Sequence, residues 1–330
     1  MTDRHPNRKR WLRPIAVVLT CVLLFAQAGC SKDTSVQPGQ EEIKRTYSRG
    51  QIMTIAATER NRYQNVYTSR IWDVSDRNGG ENFEERMIDQ IQQFFKELGT
   101  MNLLAQEHGV ELTSQEKDSI KRLTEQYYGL LSKADREYIG ADQEEIYELY
   151  CEYYRADKLV TELTQSESME ISDAEAKVIE VQEIVFDDRQ KAEEALAQLQ
   201  AEGADFAAVA KKYVKDGAAV VQLERNEKQS AFEQAAFALE QDEISGIIED
   251  GRRFYILKCT NAYDEAATAA RKKKLAQEKK NSAFQNIYEP FADQHVVVFD
   301  EKVWEEIDFG GGEESTTTNF FELYHSYFAG

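Results

Sequence analysis

The feature that most constrains this chain is a change of hydrophobic period at Val178. Upstream, Phe83, Met87, Ile88, Ile91, Phe94, Phe95, Leu98, Met101 and Leu104 recur at steps of three and four, the period of one helical face. From Val178 to Phe186 the chain is instead crowded with β-branched residues: Val178, Ile179, Val181, Ile184 and Val185. Such residues favour extended backbone, so the spacing predicts a strand there. Helices are expected at Lys191–Ala201, Asp205–Tyr213 and Ala231–Leu239, with strands at Ala218–Leu223 and Arg253–Cys259. Short strands interleaved with helices over so few residues define a small α+β domain.

The preceding part reads as helical. An amphipathic pattern runs from Tyr47 to Val74, and Asp76-Arg77-Asn78-Gly79-Gly80 interrupts it with turn chemistry. Gly109 is a natural stop for the helix of Phe83 to Ala105, and Thr113-Ser114-Gln115-Glu116 is a capping box opening the next. A helix from Asp142 to Leu163 carries Tyr150 and Tyr153, a face that reads as a core stripe, with a client groove as the alternative. Ser172 and Glu175 form a second box at a domain junction. After the α+β segment comes one charged helix, Asp264 to Tyr288, with Arg271-Lys272-Lys273-Lys274 on an expected solvated face and Pro290 as its stop. Val296–Phe299 suggests a strand, and Trp304 and Ile307 a docking turn.

The first 29 residues follow another logic. Arg4, Arg8, Lys9, Arg10 and Arg13 precede an apolar run from Ile15 to Phe25, too short to span a bilayer comfortably. The pattern is that of an export signal. Ala28-Gly29-Cys30 resembles a lipobox, which makes Cys30 a lipidation site, although Gln27 departs from the usual Leu; cleavage to a soluble secreted protein is the alternative. Without residues 1–29 the chain keeps 35 Lys and Arg against 59 Asp and Glu. That balance argues against nucleic acid as a partner. The four histidines are scattered and there is no CxxC, so neither a metal nor another cofactor is expected.

Three stretches carry a family resemblance: VQEIVF (181–186), GADFAAVAKKY (203–213) and FEQAAFALEQDEISGII (232–248), with FYILK (254–258) closing the segment. Together they resemble parvulin-type (PpiC-like) peptidyl-prolyl isomerases. The flanking helices resemble those of SurA-like and Gram-positive foldase lipoproteins. The resemblance implies an α+β fold, with a helical SurA-like chaperone lobe beside a small parvulin domain whose antiparallel sheet is surrounded by helices. The expected division is a signal peptide (1–29), a linker (30–42), a helical chaperone-like domain (43–170) and a parvulin-like domain (175–261). A C-terminal helix and segment (262–308) is expected to pack back on the helical lobe, with a flexible tail (309–330) after it.

The resemblance also assigns roles by position. The family's two strand histidines fall on Glu183 and Tyr255, and its acidic or thiol position on Asp216. Phe232, Val220 and Lys228 take the places of the apolar substrate wall. Parvulins are thought to work by lowering the rotation barrier of a prolyl amide, ~18–20 kcal/mol for an ordinary peptide bond, in an apolar cup. With both histidines replaced, the resemblance implies a folding factor with weak or lost isomerase activity. It would bind unfolded exported clients and reach the membrane through an N-terminal lipid anchor. An active isomerase and a non-catalytic docking lipoprotein are the rival readings.

Overall fold

The computed structural model describes residues 39–75, 82–165, 170–226 and 229–328. These form two compact units: one holds the described residues up to 165 together with those from 284, the other residues 170–283. The expected turn at 76–80, the signal sequence and Cys30 lie outside the described residues.

The helical unit opens with strand β1 (Glu41–Lys44), which reaches into the stretch expected as linker. It continues through α1 (Arg49–Tyr67), α2 (Phe83–Glu107), α3 (Ser114–Leu130), α4 (Lys133–Ile139) and α5 (Gln143–Thr164). Each of these helices starts with a reciprocal capping box, in which a side chain on either side of the first turn satisfies an otherwise orphaned amide. The apolar stripes meet in one core, with Ile52, Phe95, Leu123, Tyr127 and Tyr150 essentially inaccessible. Tyr150 and Tyr153 are core residues, as the first reading of that face held.

The other unit contains α6 (Asp173–Ala176), β2 (Val178–Phe186), α7 (Arg189–Leu199), α8 (Phe206–Tyr213) and β3 (Ala219–Glu224). It ends with α9 (Ala231–Ala238), β4 (Ile248–Asp250), β5 (Arg253–Asn261) and the first part of α10 (Glu265–Ala292). The strands form one antiparallel sheet in the order β3-β2-β5-β4. Ile184, Phe186 and Ile256 bury one face together with α7 and α8. Ile179, Val181 and Leu257 bury the other together with Ala236 and Phe237 of α9. The α+β class and the antiparallel sheet flanked by helices are thus as expected, while β4 is a strand the sequence pattern did not disclose.

Three expectations about the C-terminal third need correction. First, α10 does not belong wholly to the helical unit. Arg271 is buried, pairs with Glu224 at 3.2 Å and donates to the carbonyl oxygens of Glu175, Lys177 and Arg225. The solvated face therefore holds for the exposed Lys273 and Lys274 but not for Arg271. Second, Pro290 sits inside α10, which runs two residues further to Ala292. From Phe284 onward the helix contributes to the core of the helical unit, and β6 (His295–Val298) pairs in parallel with β1.

Third, the segment expected as a flexible tail is packed. After α11 (Glu301–Glu305) the chain reaches α12 (Phe320–Phe328), whose Phe320, Phe321 and Tyr324 are buried. Arg60 Nε donates to the Phe309 carbonyl at 2.9 Å, and Asn61 Nδ2 donates to Ser315 Oγ and to the Thr317 carbonyl. Asp135 Oδ1 accepts from Ser315 Oγ, Thr316 N and Thr317 N at 2.8–3.0 Å. Phe320 then stacks on Tyr150, with centroids 4.2 Å apart and planes 3° from parallel. Buried polar partners waiting at fixed positions offset the entropy that a polar segment loses on ordering.

Candidate functional site

Side chains of a strand alternate between the two faces of its sheet, so register decides which candidates can meet. In the β2–β5 pair Glu183 lies opposite Leu257, and Val185 opposite Tyr255. Glu183 and Tyr255 are therefore diagonal neighbours on one face, the face that α9 covers. Tyr255 also lies opposite Ile248 of β4.

Phe232 approaches from the first turn of α9, which Ser230 and Glu233 hold in a capping box. Its ring meets Tyr255 edge to face, with centroids 5.0 Å apart and planes at 67°. Such a pair adds about 0.5–1.5 kcal/mol beyond area burial and fixes both rings. Glu183 is half-buried beside them. Burial pushes its carboxyl above the ordinary 4.5, and the Arg253 guanidinium partly opposes that rise. Arg253 stands two residues before Tyr255 on the same strand and is exposed, within 3.9 Å of Asp187.

The remaining candidates do not join this patch. Val220 lies opposite Gln182 and is 60% exposed, on the sheet face away from Phe232 and Tyr255. Its neighbour Val221, opposite Val181, packs in the same apolar cluster as Phe232 and Tyr255. Asp216 is exposed in the turn that Gly217 completes with a φ of 81°, three residues before the start of β3. Lys228 lies outside the described residues. Among the described residues no cluster of three or more His, Cys, Asp or Glu side chains is arranged to hold a metal.

The sequence reading missed Val221, Arg253 and Leu257 as contributors. Val221 was recoverable in principle, because the apolar alternation Val221, Leu223 marks the inward face of β3. The patch brings together a carboxyl, a phenol and apolar walls, with no nucleophile–base pair. It can offer apolar contact to a ring and polar groups to a neighbouring amide.

Residues 170–270, which contain the whole four-stranded sheet, match the family model of the PPIC-type PPIase domain. This segment is therefore a PPIC-type, or parvulin-type, PPIase domain. Among solved structures, the chain is similar to the foldase protein PrsA from Streptococcus pneumoniae, at 20% identity. That match covers 77% of this chain and 99% of that one, with a TM-score of 0.26. It is similar too to the peptidylprolyl isomerase PrsA from Bacillus cereus, at 18% identity over 76% of this chain and 97% of that one, with a TM-score of 0.35. A SurA-like chaperone from Campylobacter jejuni aligns at 11% identity over 69% and 92%, with a TM-score of 0.27. No curated protein matches.

Proposed function

We propose that the protein is an extracytoplasmic folding factor. In this reading the helical unit and the PPIC-type domain both bind unfolded or proline-containing exported polypeptides, Cys30 carries a lipid anchor, and prolyl isomerase activity is slow or lost. The observation that carries the proposal is the Phe232–Tyr255 contact beside the half-buried Glu183. Isomerisation needs a pocket that binds the twisted amide better than the planar one. Here a tyrosine of the chain itself already lies against the aromatic wall. The other strand position where the parvulin resemblance places a histidine offers a carboxyl, whose charged form is costly to desolvate beside an apolar ring. An apolar surface of this kind still suits retention of exposed side chains.

The test is a protease-free prolyl isomerisation assay on wild type, Phe232→Ala and Glu183→Ala, run beside suppression of aggregation of an unfolded client. The expected result is no acceleration above the spontaneous rate together with suppressed aggregation. Acceleration that disappears in Phe232→Ala would establish an active isomerase with an unusual pocket. Absence of both activities would favour a docking role for the fold.

A further inference from the structure

The helical unit holds two adjoining cavities that the PPIC-type domain does not account for. The first, of about 480 Å³, is lined by Arg45, Lys117 and Arg155, by the amides of Asn102 and Gln106, and by an apolar floor at Leu112. The second, of about 490 Å³, shares Leu112, Lys117 and Arg155 and continues past Tyr47 and Tyr147. Each lies within the usual size range of ligand pockets, about 300–1,000 Å³.

Charge divides the two compartments. The first sets three cations against one carboxylate, Glu111, in a protein with a formal net charge of −20. The second balances Lys117 and Arg155 with Glu148 and Glu152. Arg155 Nη1 donates to Asn102 Oδ1 at 2.7 Å. Asn102 is itself buried, and its Nδ2 donates to the carbonyls of Leu98 at 2.9 Å and Glu152 at 3.1 Å. The guanidinium is thus held by a fixed acceptor, while neither Arg155 nor Lys117 forms an ion pair among the described residues. Arg45 has only a long contact, 3.7 Å, with Glu152, whose other oxygen accepts from the Tyr47 hydroxyl at 2.8 Å. Burial also raises the Glu152 carboxyl, against the opposing influence of Tyr47, Arg45 and Arg155, which weakens it as a permanent counter-ion.

We infer that the first cavity is a carboxylate-binding site for the C-terminus of an unstructured peptide, whose preceding residues lie over Leu112, Tyr47 and Tyr147 in the second. A positioned guanidinium matches a carboxylate through paired N–H···O bonds, and the exposed Lys117, which lines both cavities, adds a point charge. A small inorganic anion would leave the second, aromatic compartment empty, whereas a chain end fills both in order. The identity of the peptide as a client rests on the folding-factor reading; the carboxylate site does not.

The experiment is fluorescence anisotropy with full-length protein and an N-terminally labelled, apolar hexapeptide ending in a free carboxylate. Its C-terminal amide, an amide form with one internal Glu, and inorganic phosphate serve as comparators. We expect the free acid to bind at least tenfold more tightly than the amide, with the preference falling as salt is raised. Arg155→Gln should abolish that preference. Lys117→Gln, at an exposed position that leaves the fold intact, should reduce it several-fold. Far-UV circular dichroism establishes that Arg155→Gln remains folded. Equal binding of acid and amide by wild type would overturn the site while leaving client binding standing. Equal affinity for the internal Glu peptide, or displacement by phosphate at matching concentration, would overturn the assignment to a chain terminus. Binding of neither peptide would overturn the site outright, and the aggregation assay would then decide separately on the folding-factor reading.

Discussion

Replacing Glu97 by Gln should stabilise the helical unit at pH 8 and leave it nearly unchanged at pH 4. Glu97 sits on α2 with only 7% of its surface exposed, and Gln93 Nε2 donates to its Oε1 at 2.8 Å. Burial raises the carboxyl from 4.5 to about 7, the Gln93 hydrogen bond opposing the rise. The folded protein therefore keeps a proton that the unfolded chain releases near its ordinary value. Between roughly pH 4.5 and pH 7 the folded state binds more protons, so stability falls as pH rises through that window. The favourable contribution is complete below the window and gone above it. The rise spans about 2.5 pH units, and at 1.36 kcal/mol for each the cost of ionisation is about 3 kcal/mol. A glutamine cannot ionise and still accepts from Gln93, so a gain of about 1–3 kcal/mol is expected at pH 8. Glu59 and Glu152, also raised by burial, tilt the wild-type curve in the same direction, and the difference between the two proteins isolates Glu97. The assay is urea unfolding at several pH values, followed by emission of Trp72 and Trp304, both buried in this unit. A difference between variant and wild type that does not change from pH 4 to pH 8 would refute the reasoning.

Phe320→Ala should cost the helical unit about 3–5 kcal/mol, the usual range for truncating a buried phenylalanine, and should open the 309–319 segment to protease. A loss below about 1 kcal/mol with unchanged protease resistance would show that the stack on Tyr150 is dispensable. Expression in a bacterial host with radiolabelled palmitate should label the wild type and not Cys30→Ala, and should move the variant from the membrane fraction to the soluble one. Label retained by the variant would exclude Cys30 as the anchor.

What could be read from the sequence follows the range of the interactions involved. Strand β2 was legible to the residue because five β-branched side chains within Val178–Phe186 state their preference locally. Helix starts such as Thr113–Glu116 were legible for the same reason, since both capping partners lie within one turn. The C-terminal segment was misread because GGGEESTTT is polar and flexible in isolation. Its acceptors and donors, Arg60, Asn61 and Asp135, lie between 180 and 256 residues away along the chain. Arg271 was misread for a similar reason. Its neighbours Lys272–Lys274 suggest a wet surface, while the carbonyls that hold it come from α6 and the end of β3, 46–96 residues distant.

The candidate site divides along the same line. Glu183, Tyr255 and Phe232 were named through the parvulin resemblance alone, and the register of β2 on β5 puts Glu183 and Tyr255 on one face. Val220 was named through the same resemblance and not from the alternation Val221, Leu223 that marks the inward face of β3, a strand in which no residue is fully enclosed. A slip of one residue in such a strand exchanges Val220 for Val221 and reverses which of them faces the ring of Phe232. The same weakness bears on function. A wall built on a strand held by pairing rather than by burial yields more easily to a bound chain than one locked in a core. Catalysis of amide rotation, by contrast, demands walls fixed tightly about one geometry.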